Sequence, residues 1–285
     1  MSTKTFQAQE LIAYVGVRAR GSGISDIVSK SIRLSKNKNP TEKIEAECNE
    51  PDRPQNSPVN PVTSEQSGCF GANPRVQELM QRFARHAYAS YVLGTPALSH
   101  LPLLTRYNVS SALQRNADIL GVKADYFDCN GLSPFTKQGP TLGLVSSRAL
   151  HDWPKNLLPT VLQRSIEHHP WVDVFPWPQL RDNMLQAFEH PQICDEDEMC
   201  RTVVEYECLD EEPLLVVWAD AWDTRSWEIT PQFLKKWGWL LKGCEHFLDA
   251  TNYWRSRRDE RPISREYLYE AIEVSMPAQL RDGHQ

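Results

Sequence analysis

Apolar residues recur at three- and four-residue steps along much of this chain, and each run is bounded by residues that start or stop helices. From Asn73-Pro74, the positions Val76, Leu79, Met80, Phe83, Ala87 and Tyr91 form one stripe ending at Gly94-Thr95-Pro96. Asn as cap and Pro in the first turn predict an amphipathic helix facing a core. A second helix is expected from Leu101 through Val109, Ala112, Leu113, Ala117 and Leu120, with Gly121 as its stop. The two together predict a helical hairpin. Glycines and prolines interrupt residues 122–150, where Phe135 of Leu132-Ser133-Pro134-Phe135 is expected to anchor a loop. Pro159 then opens a helix holding Val161, Leu162 and Ile166, and His169-Pro170 ends it, because a residue before proline is pushed out of helical geometry.

The pattern changes at Pro170-Trp171-Val172-Asp173-Val174-Phe175-Pro176-Trp177-Pro178, where prolines fix the backbone and rings stand between them. Helical spacing resumes with Leu180, Met184, Leu185 and Phe188, and again from the acidic turn Asp195–Glu198 through Met199, Val203 and Val204. Pro213 to Trp218 reads as a buried strand or an extended pass through the core. Thr230-Pro231 starts a helix with Phe233, Leu234, Trp237, Leu240, Leu241 and Cys244 on one face; Gly238 and Gly243 allow close packing or a stop. After a kink at Gly243, Phe247, Leu248, Thr251 and Trp254 continue the pattern, and a last helix runs from Ser264 through Tyr267, Leu268, Ala271 and Ile272. The fold class implied is mainly α: an irregular helical domain with a Trp/Pro-rich core and at most one short strand pair.

Composition divides the chain into three. Residues 1–72 are a basic leader followed by a Pro-, Glu-, Asn- and Ser-rich linker, too poor in large apolar side chains to offset the entropy of ordering. Residues 73–275 form the helical domain, and 276–285 are expected to fray. The 285 residues carry a formal net charge of −6, so a polyphosphate partner would have to be held by a local patch. The seven cysteines are odd in number and contain no C-x-x-C pair, which argues against a disulfide framework and a zinc module. No apolar run approaches the length of a membrane span, and the expectation is a soluble intracellular protein.

Candidate chemistry is sparse. Asp220 and Asp223 lie three residues apart between Trp222 and Trp227, a spacing in which burial could raise one carboxyl above the other and give an acid and a base. The same carboxylates are ordinary acceptors for indole N–H groups and turns, and the structural role is preferred. Trp171 and Trp177 complete a set of rings able to line a pocket. His168-His169 are adjacent rather than i, i+4 and suit a core or capping role better than a metal. Arg181 needs a carboxylate such as Asp173 if buried. Arg255, Arg257, Arg258 and Arg261 suit a helix C-terminus or, as a weaker reading, a nucleic-acid patch diluted by Asp259 and Glu260. No Walker loop, G-x-G-x-x-G, H-E-x-x-H or G-x-S-x-G run occurs, so no catalytic residue, cofactor or metal is assigned.

The runs His168–Asn183, Val216–Cys244 and Thr251–Arg258, with Asn116-Ala117, Leu120-Gly121 and Ser133-Pro134-Phe135, resemble a domain of unknown function that often forms the C-terminal part of basic-leucine-zipper transcription factors in filamentous fungi. The likeness spans roughly residues 75–260. In that family the turn written here Trp218-Ala219-Asp220-Ala221-Trp222-Asp223 commonly has Gly and Pro at the two alanines. Residues 1–74 also lack the dense basic helix and heptad leucines of a zipper. The resemblance implies a nuclear transcriptional regulator or co-regulator of specialised metabolism, without its own zipper or direct sequence-specific DNA binding. Its expected partner is a protein, such as a zipper factor, or a small effector. The expected location is the nucleus, with the cytoplasm second. The alternative is a small-molecule-binding protein or enzyme whose pocket is built from Trp171, Trp177, Asp220, Trp222, Asp223 and Trp227.

Overall fold

The helix Leu101–Leu120 is buried along most of its length. A computed structural model describes residues 74–93, 95, 97–122, 131–136, 153–204 and 213–281; the expectations for the leader and linker lie outside the described residues. Helix α1 (Pro74–Val92) and α2 (Leu101–Leu120), the two helices expected there, are joined through a 3-10 turn at Leu98–His100. Gly121 stops α2 at φ 70°, a left-handed cap that suits glycine. Along α2 Leu104, Asn108, Ala112, Leu113, Asn116 and Ala117 are all fully buried, so the helix is covered on nearly every side. On α1, Met80 and Ala87 turn inward, whereas Leu79 is 61% exposed and leaves the predicted stripe.

The helix expected from Pro159 is absent. A 3-10 turn at Lys155–Leu157 and a single bonded turn, with Ile166 N–H donating to the Leu162 carbonyl (3.0 Å), stand in its place. Local side chains compete with the helix here: Gln163 Oε1 accepts from Thr160 N–H (2.9 Å), and Thr160 Oγ1 accepts from Gln163 N–H (3.1 Å).

Helices α3 (Pro178–Phe188) and α4 (Glu196–Val204) follow. The run after Pro213 is a strand, β1 (Leu215–Val217). It pairs antiparallel with β2 (Trp227–Ile229), placing Leu215 opposite Ile229, Val216 opposite Glu228 and Val217 opposite Trp227. All six residues are buried, β1 packing on α2 and β2 on the helix that follows Gly243.

Thr230 caps α5 (Pro231–Trp237), accepting from Phe233 N–H (3.3 Å). A 3-10 turn, Gly238–Leu241, continues it; a Cβ on Gly238 would lie 3.2 Å from the Ala271 carbonyl oxygen, so this glycine lets the two segments touch. Helices α6 (His246–Ser256) and α7 (Arg265–Ser275) complete the body. Within the segment 276–285, Ala278–Arg281 is a short helix, α8; Met276 and Leu280 line a cavity of about 330 Å³ with Ile193 and Trp239.

The mainly helical class with one short strand pair is thus the observed architecture, eight α-helices and two strands among the described residues. No described helix is long and apolar enough to cross a membrane.

Candidate functional site

The proline-fixed aromatic loop faces inward. Trp171, Phe175 and Trp177 are each at most 1% exposed. Trp177 stacks near Phe247 (centroids 4.2 Å apart) and meets Trp227 edge-on at 5.2 Å. The Trp171 indole N–H donates to Glu196 (2.9 Å) and the Trp227 indole N–H to the Ala221 carbonyl (2.9 Å). The Trp177 indole N–H has no hydrogen-bond partner among the described residues. Burial of rings this size stabilises each by several kcal/mol, about 25 cal/mol per Å². Trp171, Trp177 and Trp227 therefore form core, and Trp222 stands apart from them, 37% exposed.

Behind this loop lies a buried polar network. Asp173, 1% exposed, accepts from Ser133 Oγ at one oxygen (2.7 Å), and from Gln163 Nε2 and His168 Nε2 (2.9 Å) at the other. The second His168 nitrogen, Nδ1, faces the Ile166 carbonyl at 2.7 Å. With an acceptor facing each nitrogen, the surroundings favour the doubly protonated ring. Burial lowers the His168 pKa, but the Asp173 bond and charge, the Ile166 carbonyl and Glu196 outweigh it and raise the pKa.

Arg181 is fully buried as well. It reaches Asp173 only through Gln163, donating from Nε to Gln163 Oε1 (2.9 Å). Its remaining donors go to the main-chain carbonyls of Asn156 (2.8 Å), Phe175 (2.6 Å) and Leu158 (2.7 Å). The direct carboxylate partner expected from sequence is replaced by carbonyls. Burial lowers its pKa to about 10. Serine, histidine and aspartate meet here, but the hydroxyl donates to the carboxylate rather than to the imidazole. All three are buried, so the cluster braces the loop and does not present a nucleophile.

Asp220 and Asp223 sit on the turn between the strands. Asp220 is exposed and lies near Arg115, whose charge its own favours. Asp223 accepts from Arg225 N–H (3.0 Å) as cap of the 3-10 turn Thr224–Ser226, and both its oxygens take the Arg225 guanidinium, the closest at 2.7 Å. The Arg225 hydrogen bond holds the Asp223 carboxyl below the usual range. Neither aspartate is capped by an indole. Asp223 does border an open cleft of about 510 Å³, but the aromatic residues in its wall are Tyr253 and Trp254. Asp249, one turn before Tyr253, is its other acid. The i, i+4 spacing of Asp249 and Tyr253 was the available signal for a shared helix face.

The four arginines at the end of α6 divide. Arg258 Nη2 donates to the buried Glu228 (2.7 Å) and Nε to Glu260 (2.9 Å), while its guanidinium lies 4.8 Å over the Trp218 ring. Trp218 donates to the other Glu228 oxygen (2.9 Å) and stacks on Trp254 at 5.2 Å. Arg255 pairs with Glu260 (3.1 Å) and donates to the Arg261 carbonyl (2.7 Å). Burial opposes the Arg258 charge, but Glu228 and Glu260 together raise its pKa. Burial also raises Glu228, with Arg258 offsetting part of that. Arg257 and Arg261 remain exposed. Two of the four cations are thus turned inward onto carboxylates, and nothing in the sequence marked Glu228 as the acceptor of Arg258.

Among the described residues no group of three or more His, Cys, Asp or Glu is arranged to hold a metal. Residues 143–248 match a family described as a domain of unknown function (DUF3425), a little over a third of the chain and the segment containing the aromatic loop and both strands. No curated protein matches the chain. No solved structure matches it.

Proposed function

We propose that this protein is a regulatory binding module of nuclear transcription control. It acts by engaging a protein partner such as a zipper factor, or a small effector, and does not read DNA sequence itself. One observation supports binding over catalysis: the Ser133–Asp173–His168 and Glu228–Arg258 groupings are spent on internal hydrogen bonds, while an acidic and aromatic cleft at Asp223, Asp249 and Tyr253 faces solvent. The engagement of Arg255 and Arg258 by Glu228 and Glu260 leaves only Arg257 and Arg261 of that candidate patch exposed to a phosphate. The link to transcription, and to specialised metabolism as its target, is carried by the resemblance of the aromatic runs to the domain that follows a basic leucine zipper.

The test is localisation of the tagged full chain together with affinity capture from nuclear extract. Nuclear accumulation and recovery of transcription factors are expected; a cytoplasmic protein that recovers none overturns the reading. A second reading, an effector-binding protein or enzyme at Asp223, draws on the same 510 Å³ cleft. In it Asp223 is already held by Arg225, so it serves as an anchor rather than a proton carrier.

A further inference from the structure

We propose that the cleft between the 219–226 turn and helix α6 is a seat for one basic side chain, lysine or arginine, presented by a protein partner; this rests on the binding-module reading above. The charge in the cleft is one-sided. Asp223 and Arg225 cancel, because the guanidinium takes both carboxylate oxygens. Asp249 is exposed and has no ion pair among the described residues, so it leaves the cleft one negative charge.

The aromatic wall suits a cation. Tyr253 is 55% exposed and stands edge-on to Trp254, centroids 5.1 Å apart. Trp254 is fixed on its other side by the stack on Trp218, and its indole N–H by the Arg225 carbonyl (2.8 Å). These rings are therefore ordered before any ligand arrives, and a cation over a ring face is attracted by the ring quadrupole. The fold already uses this chemistry once on the inner side of the same stack, where Arg258 lies over Trp218.

An anion finds no uncommitted cation in the cleft, since Arg225 is paired; an apolar ligand would bury Asp249 uncompensated. A metal ion finds no cluster of three ligands among the described residues. The cleft's openness to solvent suits a side chain carried in on a protein surface, whose backbone remains outside.

The experiment uses the full chain and fluorescent decapeptides that differ only in one central residue: Lys, Arg, Gln or Glu. Tetramethylammonium chloride serves as a small-cation competitor. Lys or Arg peptides are expected to bind more tightly than Gln and Glu peptides. Asp249→Asn and Tyr253→Ala, both surface changes, should each weaken binding roughly threefold. Equal affinity for the four peptides, binding unchanged in both variants, or binding of tetramethylammonium alone overturns the proposal. Capture from nuclear extract separates the two claims. If the wild-type chain and both variants recover the same transcription factors, the module reading stands and the cleft proposal fails. If the wild-type chain recovers none, the module reading fails.

Discussion

Replacing Arg181 with methionine tests whether a buried guanidinium holds the aromatic loop in place. The side chain is fully buried and makes four hydrogen bonds, to Gln163 and to the carbonyls of Asn156, Leu158 and Phe175. Charge-assisted bonds contribute about 2 kcal/mol each. Burial works against the charge: a pKa depressed from 12.5 to about 10 corresponds to about 3 kcal/mol. Methionine retains most of the volume and removes that burden. Asn156 and Leu158 are half-exposed and can turn their carbonyls to water, whereas Phe175 is buried and cannot. The expected net loss is about 3 kcal/mol, or a fall in Tm of roughly 6–12 °C for a domain of this size. Urea denaturation followed by tryptophan fluorescence reads it directly. Arg181→Lys keeps the charge but cannot span three carbonyls and a glutamine, so it should recover less than half of the loss. A methionine variant within 1 kcal/mol of wild type, or more stable than it, would refute the reasoning, as would full rescue by lysine.

Three further outcomes follow from the buried groups. His168 has a raised folded-state pKa, so its contribution is complete below the unfolded value near 6.5 and is lost as pH rises through the folded value; melts across this range should show a decline that His168→Gln lacks, and parallel profiles would contradict it. Glu228→Ala leaves Arg258 facing only Glu260 and the Trp218 N–H unpaired, at an expected cost of about 3–5 kcal/mol, with Glu228→Gln less severe; a change below 1 kcal/mol in the alanine variant would remove the pair from the stability argument. Burial pushes the Cys194 and Cys244 thiols up to about 12, so at pH 8 both should resist iodoacetamide in the folded chain and react once urea unfolds it, as read by peptide mass spectrometry.

Much of the frame was legible because its signals are local. Thr230-Pro231 and Ser264 start helices by accepting N–H bonds three residues on, and Gly121 stops one through its own torsion. What escaped is polar and distant. Strand β2 is three residues long with a glutamate at its centre, and no pattern predicts a buried Glu228 whose partner Arg258 lies 30 residues away. Ser133 looked like a loop residue and Gln163 fell within an expected helix, yet they satisfy Asp173 from 40 and 10 residues off. The helix expected after Pro159 failed for the same reason, since Gln163 is drawn inward to Arg181 and Asp173. At the candidate site, Asp223 was identified on sequence, but its aromatic neighbours are Tyr253 and Trp254, because the turn carries it away from Trp171 and Trp177.

The amide of Asn116 donates to the Val174 carbonyl (2.9 Å) and the Ala221 carbonyl (3.1 Å), across 58 and 105 residues of chain. On a ribosome the helix bearing that amide is finished long before its second acceptor exists. At about 5–20 residues per second, α2 waits on the order of 5–20 s with a surface that the finished fold covers almost entirely. During that interval its inner residues are open to solvent and to other chains. Synthesis speed across residues 120–221, and any chaperone holding the nascent helix, therefore bear on yield in addition to the stability of the completed domain.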